Sequence, residues 1–328
     1  MRSEAITGNR LICELKEEPI NLFFSLADYR NSYFTSNDQN KIMEFYEGVQ
    51  DSEELIEWMR ERPKGVSYVH EVEGDKEIVV VITTADFDGK YAKECRDNIF
   101  KGLHLIFVES GGRGDFYFNI AHNINVGIKK AMEYNPRWVV FSNDDMVKQD
   151  EISVLQEALK NYDPSKTGIA YFYPSTSYHS REMNISTIRK TRSIVNPLLL
   201  YSRRKAFDIL KKFNTKFVLS GGSIRDLLFY KRVLTFRNTI AIAVYSAEMI
   251  KEFISRYGCF FDETYINSGE DGDLALRVQK AGWEKGEVNF RIRPLIGGTF
   301  GNSDSRYLRD QAGNIYFSKK REEEEHDF

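Results

Sequence analysis

Ile78-Val79-Val80-Val81-Ile82 is a run of five apolar residues, all β-branched, with no polar position inside it. A strand with one wet face alternates, so an unbroken run predicts a strand buried on both faces. Comparable runs follow at Leu103-His104-Leu105-Ile106-Phe107-Val108, Trp138-Val139-Val140-Phe141 and Gly168 to Phe172. Between them the spacing turns helical, over Lys90 to Phe100, Phe118 to Tyr134 and Glu151 to Asn161. In the second of these, Ile120, Ile124, Gly127, Ile128 and Ala131 share one face. Continuous apolar strands alternating with helices predict an α/β fold, a mostly parallel sheet flanked by helices. Ligands of such sheets sit beyond the carboxyl ends of the strands. Asp86, Glu109 and the group Asn143-Asp144-Asp145 fall there.

Upstream, residues 1–74 read as an N-terminal helical extension. Ser36-Asn37-Asp38-Gln39 has the form of a helix cap, with a helix to about Tyr46, and Asp51 or Ser52 caps a second helix stopped by Pro63. Downstream, residues 174–237 break the alternation. They begin polar and become basic with apolar interleaving, and are read as an insertion on an acceptor side or at an oligomer contact. Regular structure resumes at Thr239 to Val244, Ser246 caps a further helix, and another helix runs from Asp273 towards Gly282. Residues 302–328 read as a C-terminal tail whose charge run, Arg321 to Asp327, frays.

Two acidic clusters carry the chemistry. Ser142-Asn143-Asp144-Asp145 ends the Trp138 run, and Glu270-Asp271-Gly272-Asp273 follows Phe261-Asp262-Glu263. Carboxylates gathered at a strand end repel one another and lose solvation unless a cation compensates them. A divalent metal carrying a diphosphate would do so, since hard cations take oxygen ligands. The alternative reading of either cluster is helix capping.

The segment from Phe261-Asp262-Glu263 through Glu270-Asp271-Gly272-Asp273 to Arg277 and Ala281-Gly282-Trp283 resembles the acid-motif block of glycosyltransferase family 2, whose members have the GT-A fold. The order of features over roughly Ile78 to Thr299 is also similar to that family. The resemblance implies a GT-A-like domain over residues 75–301 and inverting transfer of a sugar from a nucleotide-diphosphate donor to a hydroxyl acceptor on a glycan, glycolipid or glycoprotein. It implies Mn²⁺ or Mg²⁺ on Asp145, donor contacts from Asp86, Glu109, Asn125, Asn143 and Asp144, a general base at Asp271, and Glu270 beside it as an acceptor or donor-sugar contact. The chain departs from the family where Asn143 replaces the usual first Asp and where Pro294 to Thr299 carries no His. Two other readings stand beside this one: a transferase-like module that binds nucleotide or glycan without turnover, and a nucleotidyltransferase.

The 328 residues are 41% hydrophobic and 29% charged, and the formal charge of −3 gives no basic field for nucleic acid. Cys13, Cys95 and Cys259 show neither CxxC nor zinc spacing, which points to a reducing, cytoplasmic setting. No apolar run approaches the about 20 residues of a membrane span. The basic stretch from Arg203 to Arg232 is compatible with peripheral contact at the inner face of a membrane, or with a solvated helix face.

Overall fold

The computed structural model describes residues 26–110, 117–172, 177–181, 184–186, 188, 233–237, 241–295 and 304–326. Its centre is a seven-stranded mixed, mostly parallel sheet. The strands are β1 (Tyr68–Val72), β2 (Asp75–Thr84), β3 (Leu103–Glu109), β4 (Trp138–Asn143), β6 (Thr167–Phe172), β9 (Ile242–Ser246) and β10 (Glu284–Val288). They lie in the order β1-β3-β2-β4-β9-β6-β10. β2 pairs in parallel with both β3 and β4, and β6 pairs in parallel with β10. β9 runs antiparallel between β4 and β6, and β1 lies antiparallel on the β3 edge. Two short antiparallel ribbons complete the strands: β5 (Met146–Lys148) with β11 (Ile292–Pro294), and β7 (Ser177–Arg181) with β8 (Val233–Arg237).

Alternation along β2 explains the two faces. Ile78, Val80 and Ile82 point into one core, with Ala92 of α4 (Lys90–Glu94), Cys95 and Ile99 of the π-turn that continues it, and Leu155 and Leu159 of α6 (Ile152–Leu159). Val79 and Val81 point into the other. There they meet Ile124 and Ile128 of α5 (Ile120–Met132), Met249 and Phe253 of α7 (Ala247–Tyr257), and Leu274 and Val278 of α8 (Glu270–Lys280). Every residue of the Ile78 run is therefore buried, as its composition requires.

Gly127 marks the closest approach of α5 to the sheet. A Cβ there would sit 2.3 Å from Val81 Cγ1 and 2.9 Å from Val108 Cγ2. Gly127→Ala is expected to push the helix off β2 and β3 and to cost about 1–3 kcal/mol, read as a lower denaturation midpoint. An unchanged midpoint would mean that the sheet yields without strain.

Three expectations need correction. The extension does not reach residue 74, because β1 belongs to the sheet. Its residues alternate only between exposed and half-buried, so they carry no apolar run. The charge run from Arg321 does not fray at once: α9 (Asp304–His326), a 23-residue helix, carries it in helix as far as His326. It forms a third core with the N-terminal helices α1 (Leu26–Phe34), α2 (Gln39–Gly48) and α3 (Ser52–Glu61). Ala312, Ile315 and Phe317 of α9 pack there with Phe34, Tyr46, Leu55 and Trp58, and Tyr46 Oη donates to the Leu308 carbonyl at 2.8 Å. The helix expected from Asp273 begins three residues earlier, at Glu270. The caps at Asp51 and Ser246 form as expected, each accepting a backbone N–H of its first turn, whereas the cap of α2 is Asp38, two residues after the Ser36 that a capping box would use. The basic stretch from Arg203 to Arg232 lies outside the described residues. No helix among the described residues is long and apolar enough to cross a membrane.

Candidate functional site

The chain leaves β2 for β3 on one side, then crosses back by α5 to β4 on the other side of β2. This reversal falls at the carboxyl ends of β2 and β4, where open α/β sheets bind ligands. Both acids of the first cluster lie there. Thr84, at the end of β2, donates to Asp144 Oδ2 at 2.6 Å, and its neighbour Thr83 donates to Asn143 Oδ1 at 3.2 Å. The buried Cys95 thiol supports the same turn from behind by donating to the Asp144 carbonyl at 3.3 Å. Burial raises the Asp144 carboxyl above its ordinary range, against the Thr84 hydrogen bond. Asp145, 9% exposed, is fixed through its backbone, because the Leu295 N–H donates to its carbonyl at 2.8 Å where β11 closes on β5.

Asp86 is exposed just past the end of β2 and shapes a turn there, with the Asp88 N–H donating to its Oδ1 at 3.0 Å. Its charge acts on Asp144. Glu109 ends β3 and pairs with His70 of β1 at 2.7 Å. The His70 ring stacks on Phe87, with centroids 4.3 Å apart and planes 5° from parallel. A stacked pair of rings with a carboxylate at its edge therefore stands next to the end of β2, half-exposed.

The second cluster reaches the same sheet edge by a different route. Since β9 is antiparallel to both β4 and β6, the strands β4, β6 and β10 point the same way. β10 begins at the amino edge, where the Glu284 N–H donates to the Lys166 carbonyl just before β6. α8 feeds β10, so its C-terminus lies at the amino edge and its N-terminus, with Glu270 and Asp271, at the carboxyl edge. The preceding loop is stitched there to the start of α5. Asn119 Nδ2 donates to the carbonyls of Glu263 and Tyr265, both at 2.9 Å, and the Ile120 N–H donates to Asn267 Oδ1 at 2.8 Å. Asn267 takes a positive φ of 59°, and Gly269, which caps α8, a φ of 97°.

Asn125, expected to face a ligand, is a clamp on this loop. Its amide nitrogen donates to the Phe261 carbonyl at 2.8 Å and to Glu263 Oε1 at 2.9 Å, and its oxygen accepts the Phe261 N–H at 2.9 Å. Both donor hydrogens of its amide are spent on this loop. His122 completes the clamp through Glu263 at 2.9 Å. Burial would raise Glu263, but His122 and Asn125 hold it below its ordinary value. His179 lies in β7.

Glu270 and Asp271 are 2% and 4% exposed. Burial pushes Asp271 up to about 7, against the hydrogen bond from the Gly272 N–H at 2.9 Å. A helix N-terminus favours an ionised carboxyl. Desolvation outweighs it here. Glu270 is also raised well above its ordinary range, by burial first and by the charge of Asp271 second. Asp273, two residues on, is of another kind. It pairs with Arg277 at 2.8 Å and with Lys320 of α9 at 2.7 Å. Lys320 also holds Asp262 at 2.9 Å, and Tyr316 donates to Asp262 at 2.8 Å. Burial alone would raise Asp262, but Lys320 carries it down to about 2. Gly313 lets α9 press on the same loop, since a Cβ there would fall 1.9 Å from the Ser268 carbonyl oxygen.

The sequence reading missed Thr84, Asn119, Asn267 and Lys320. Asn119 carried a signal, standing as an Asn directly before the apolar periodicity of α5. Lys320 carried none, because its partners lie 47 or more positions away.

Among the described residues, no group of three or more His, Cys, Asp or Glu is arranged to hold a metal ion unaided. Asp144 and Asp145 nevertheless fit a hard divalent cation, since their donors are all oxygen and one or two carboxylates suffice when phosphate oxygens complete the shell. Compared with known family models and with curated proteins, the chain matches none.

Proposed function

We propose that this chain is an inverting, GT-A-type glycosyltransferase that moves a sugar from a nucleotide-diphosphate donor to a hydroxyl acceptor. One observation carries the reading: two acidic clusters over a hundred residues apart in sequence arrive at one edge of the sheet, one at the reversal of strand order and one at the start of α8. Substrate bridging the two would meet a phosphate-side acid and a proton acceptor together.

The roles follow from environment. Asp145, with phosphate oxygens, would hold Mn²⁺ or Mg²⁺, which supplies charge neutralisation for the departing diphosphate, typically several kcal/mol in the transition state. Thr84 fixes Asp144 at the carboxyl end of β2, and Asp86, Glu109 and Asn143 line the nucleoside and sugar side. Asp271 takes the proton of the acceptor hydroxyl as that oxygen bonds to the anomeric carbon. The carbon–oxygen bond to the diphosphate breaks, and its electron pair leaves with the nucleoside diphosphate. A base with a pKa near the working pH suits this task, and burial places Asp271 at about 7. The insertion is attached beside this site. It departs from the carboxyl end of β6 and returns at the start of β9, on the same edge, and its ribbon touches α8 through β8 and α9 through β7. That placement suits an acceptor wall.

Asp145→Ala is expected to remove the Mn²⁺-dependent part of nucleoside-diphosphate binding while leaving the fold intact. Isothermal titration of a nucleoside diphosphate with and without Mn²⁺ reads this directly. An undiminished metal response would move the metal elsewhere. The function itself is tested by incubating the chain with Mn²⁺ or Mg²⁺ and a set of uridine, guanosine and thymidine diphosphate sugars. Release of nucleoside diphosphate is the expected result, and none from any donor would remove the reading.

A further inference from the structure

α8 starts without a side-chain cap of its own. Gly269 stands at its N-cap with a φ of 97° and has nothing to close the first turn. The place of Asp271 is therefore set by what holds the residues just before the helix. Asn267 does this through its amide. Its Oδ1 accepts the N–H of Ile120, the first residue of α5, at 2.8 Å, and its Nδ2 donates to the Phe118 carbonyl at 3.3 Å. The Ile120 N–H is one that a helix start leaves unmet. Asn119 answers in the other direction: its Nδ2 reaches the Glu263 and Tyr265 carbonyls, and its Oδ1 accepts the His122 N–H, all at 2.9 Å. Each asparagine thus satisfies backbone groups of the other's segment.

The backbone singles out the same residue. Among the described residues, Asn135 and Asn267 alone take a positive φ without being glycine. Asn tolerates that region better than most side chains, and such backbone persists where its surroundings over-determine it. Asn135 lies just past the end of α5, and its side chain only accepts from the exposed Lys251 ammonium at 3.0 Å. Asn267 lies three residues before Glu270, between a grip from α5 on its own side chain and one from α9 at Ser268, where Gly313 makes its close approach. α5 is itself set against β2 and β3 at Gly127, so the lock ties the start of α8 to the sheet.

We propose that Asn267 is a positioning residue: by locking onto the start of α5 it fixes the start of α8, and with it the direction in which Asp271 meets the acceptor hydroxyl. Its effect on rate rests on the glycosyl-transfer reading; its effect on the placement of Asp271 does not.

Asn267→Gly keeps the left-handed backbone and deletes both side-chain bonds. A displaced base costs rate without loosening the donor, so kcat is expected to fall about 10–100-fold while KM for the nucleotide sugar holds. Asn267→Asp keeps an acceptor for the Ile120 N–H at the positive end of α5 and should recover part of the loss. Asn135→Gly makes the same exchange at a positive φ away from the site and should leave kcat as it is. Wild-type kcat in Asn267→Gly, an equal loss in Asn135→Gly, or an Asp variant no better than Gly overturns the proposal.

A thermal double-mutant cycle needs no turnover. Asp271→Asn should raise Tm at about pH 8, because a buried Asp271 must ionise there. In Asn267→Gly, or in Asn267→Asp should Gly not fold, the loosened start of α8 admits water to Asp271, and that gain should shrink. An equal gain in both backgrounds overturns the proposal. A wild-type chain that turns over no donor removes the glycosyl-transfer reading, and the thermal cycle alone then decides the lock.

Discussion

Asp271→Asn is expected to abolish transfer and to make the protein more stable at neutral pH. The two effects share a cause. A positioned carboxylate base typically contributes about 10²–10⁴-fold, and Asn cannot take a proton, so kcat should fall by at least about 10² while donor binding persists. The stability change follows from the sign of the shift. Asp271 holds its proton up to about 7 in the folded chain and only to its ordinary 3.8 when unfolded. The folded state therefore binds the proton more tightly. Below the lower value the buried carboxyl carries no ionisation penalty, and the penalty grows as pH rises towards 7. Above that it reaches on the order of 4 kcal/mol. Asn is neutral throughout and should recover part of this, raising Tm by several degrees at pH 8 and by little at pH 4. Wild-type kcat/KM should correspondingly rise with pH through about 7 and then level. Normal turnover by the Asn variant would show that the base is another group, and a Tm unchanged at pH 8 would show that Asp271 is not buried in solution.

The second large effect is expected at Lys320. Its ammonium lies between Asp262 and Asp273 and joins the C-terminal helix to the loop before Asp271. Lys320→Met keeps the apolar stem and removes the charge. Breaking a buried pair by deleting one partner costs about 3–5 kcal/mol. Lys320 is a quarter exposed and Arg277 still holds Asp273, so about 2–3 kcal/mol is the expectation here. The pH dependence is the reverse of that at Asp271. Asp262 is held down to about 2, so its contribution is present above 3.8 and lost as pH falls through 2. The gap between wild type and variant should be widest at neutral pH and narrow below about pH 4. Denaturant midpoints at pH 7 and at about pH 2 read it. An equal midpoint at pH 7 would mean that α9 is not anchored by this charge.

The difference between what the sequence discloses and what it hides has physical reasons. The Ile78, Leu103 and Trp138 runs disclose strands because burial on both faces leaves them no polar position. Apolar content says nothing about direction, however, and β9 reverses between β4 and β6 with a composition much like theirs. β1 escaped notice because an edge strand need not be apolar. α9 escaped because its buried stretch includes Gln311, Asn314 and Ser318, polar residues that mask the helical periodicity. The acids of the site were legible as residue types at strand and helix ends. Their separation into kinds was not. Asp273 and Asp271 stand two positions apart, yet one is neutralised by Arg277 and by a helix from the far end of the chain, and the other is left to burial. Asn125 was misread for a similar reason, since the loop that consumes its amide lies 136 residues away.

The central claim is that the Asp144–Asp145 turn and the start of α8 act on one substrate. A crystal structure with Mn²⁺ and a nucleoside diphosphate tests it most directly. The account predicts an anomalous manganese peak about 2.1 Å from an Asp145 carboxylate oxygen, with the terminal phosphate directed so that one sugar ring spans the gap to Asp271. Manganese bound away from Asp145, or a diphosphate directed away from Asp271, would contradict it.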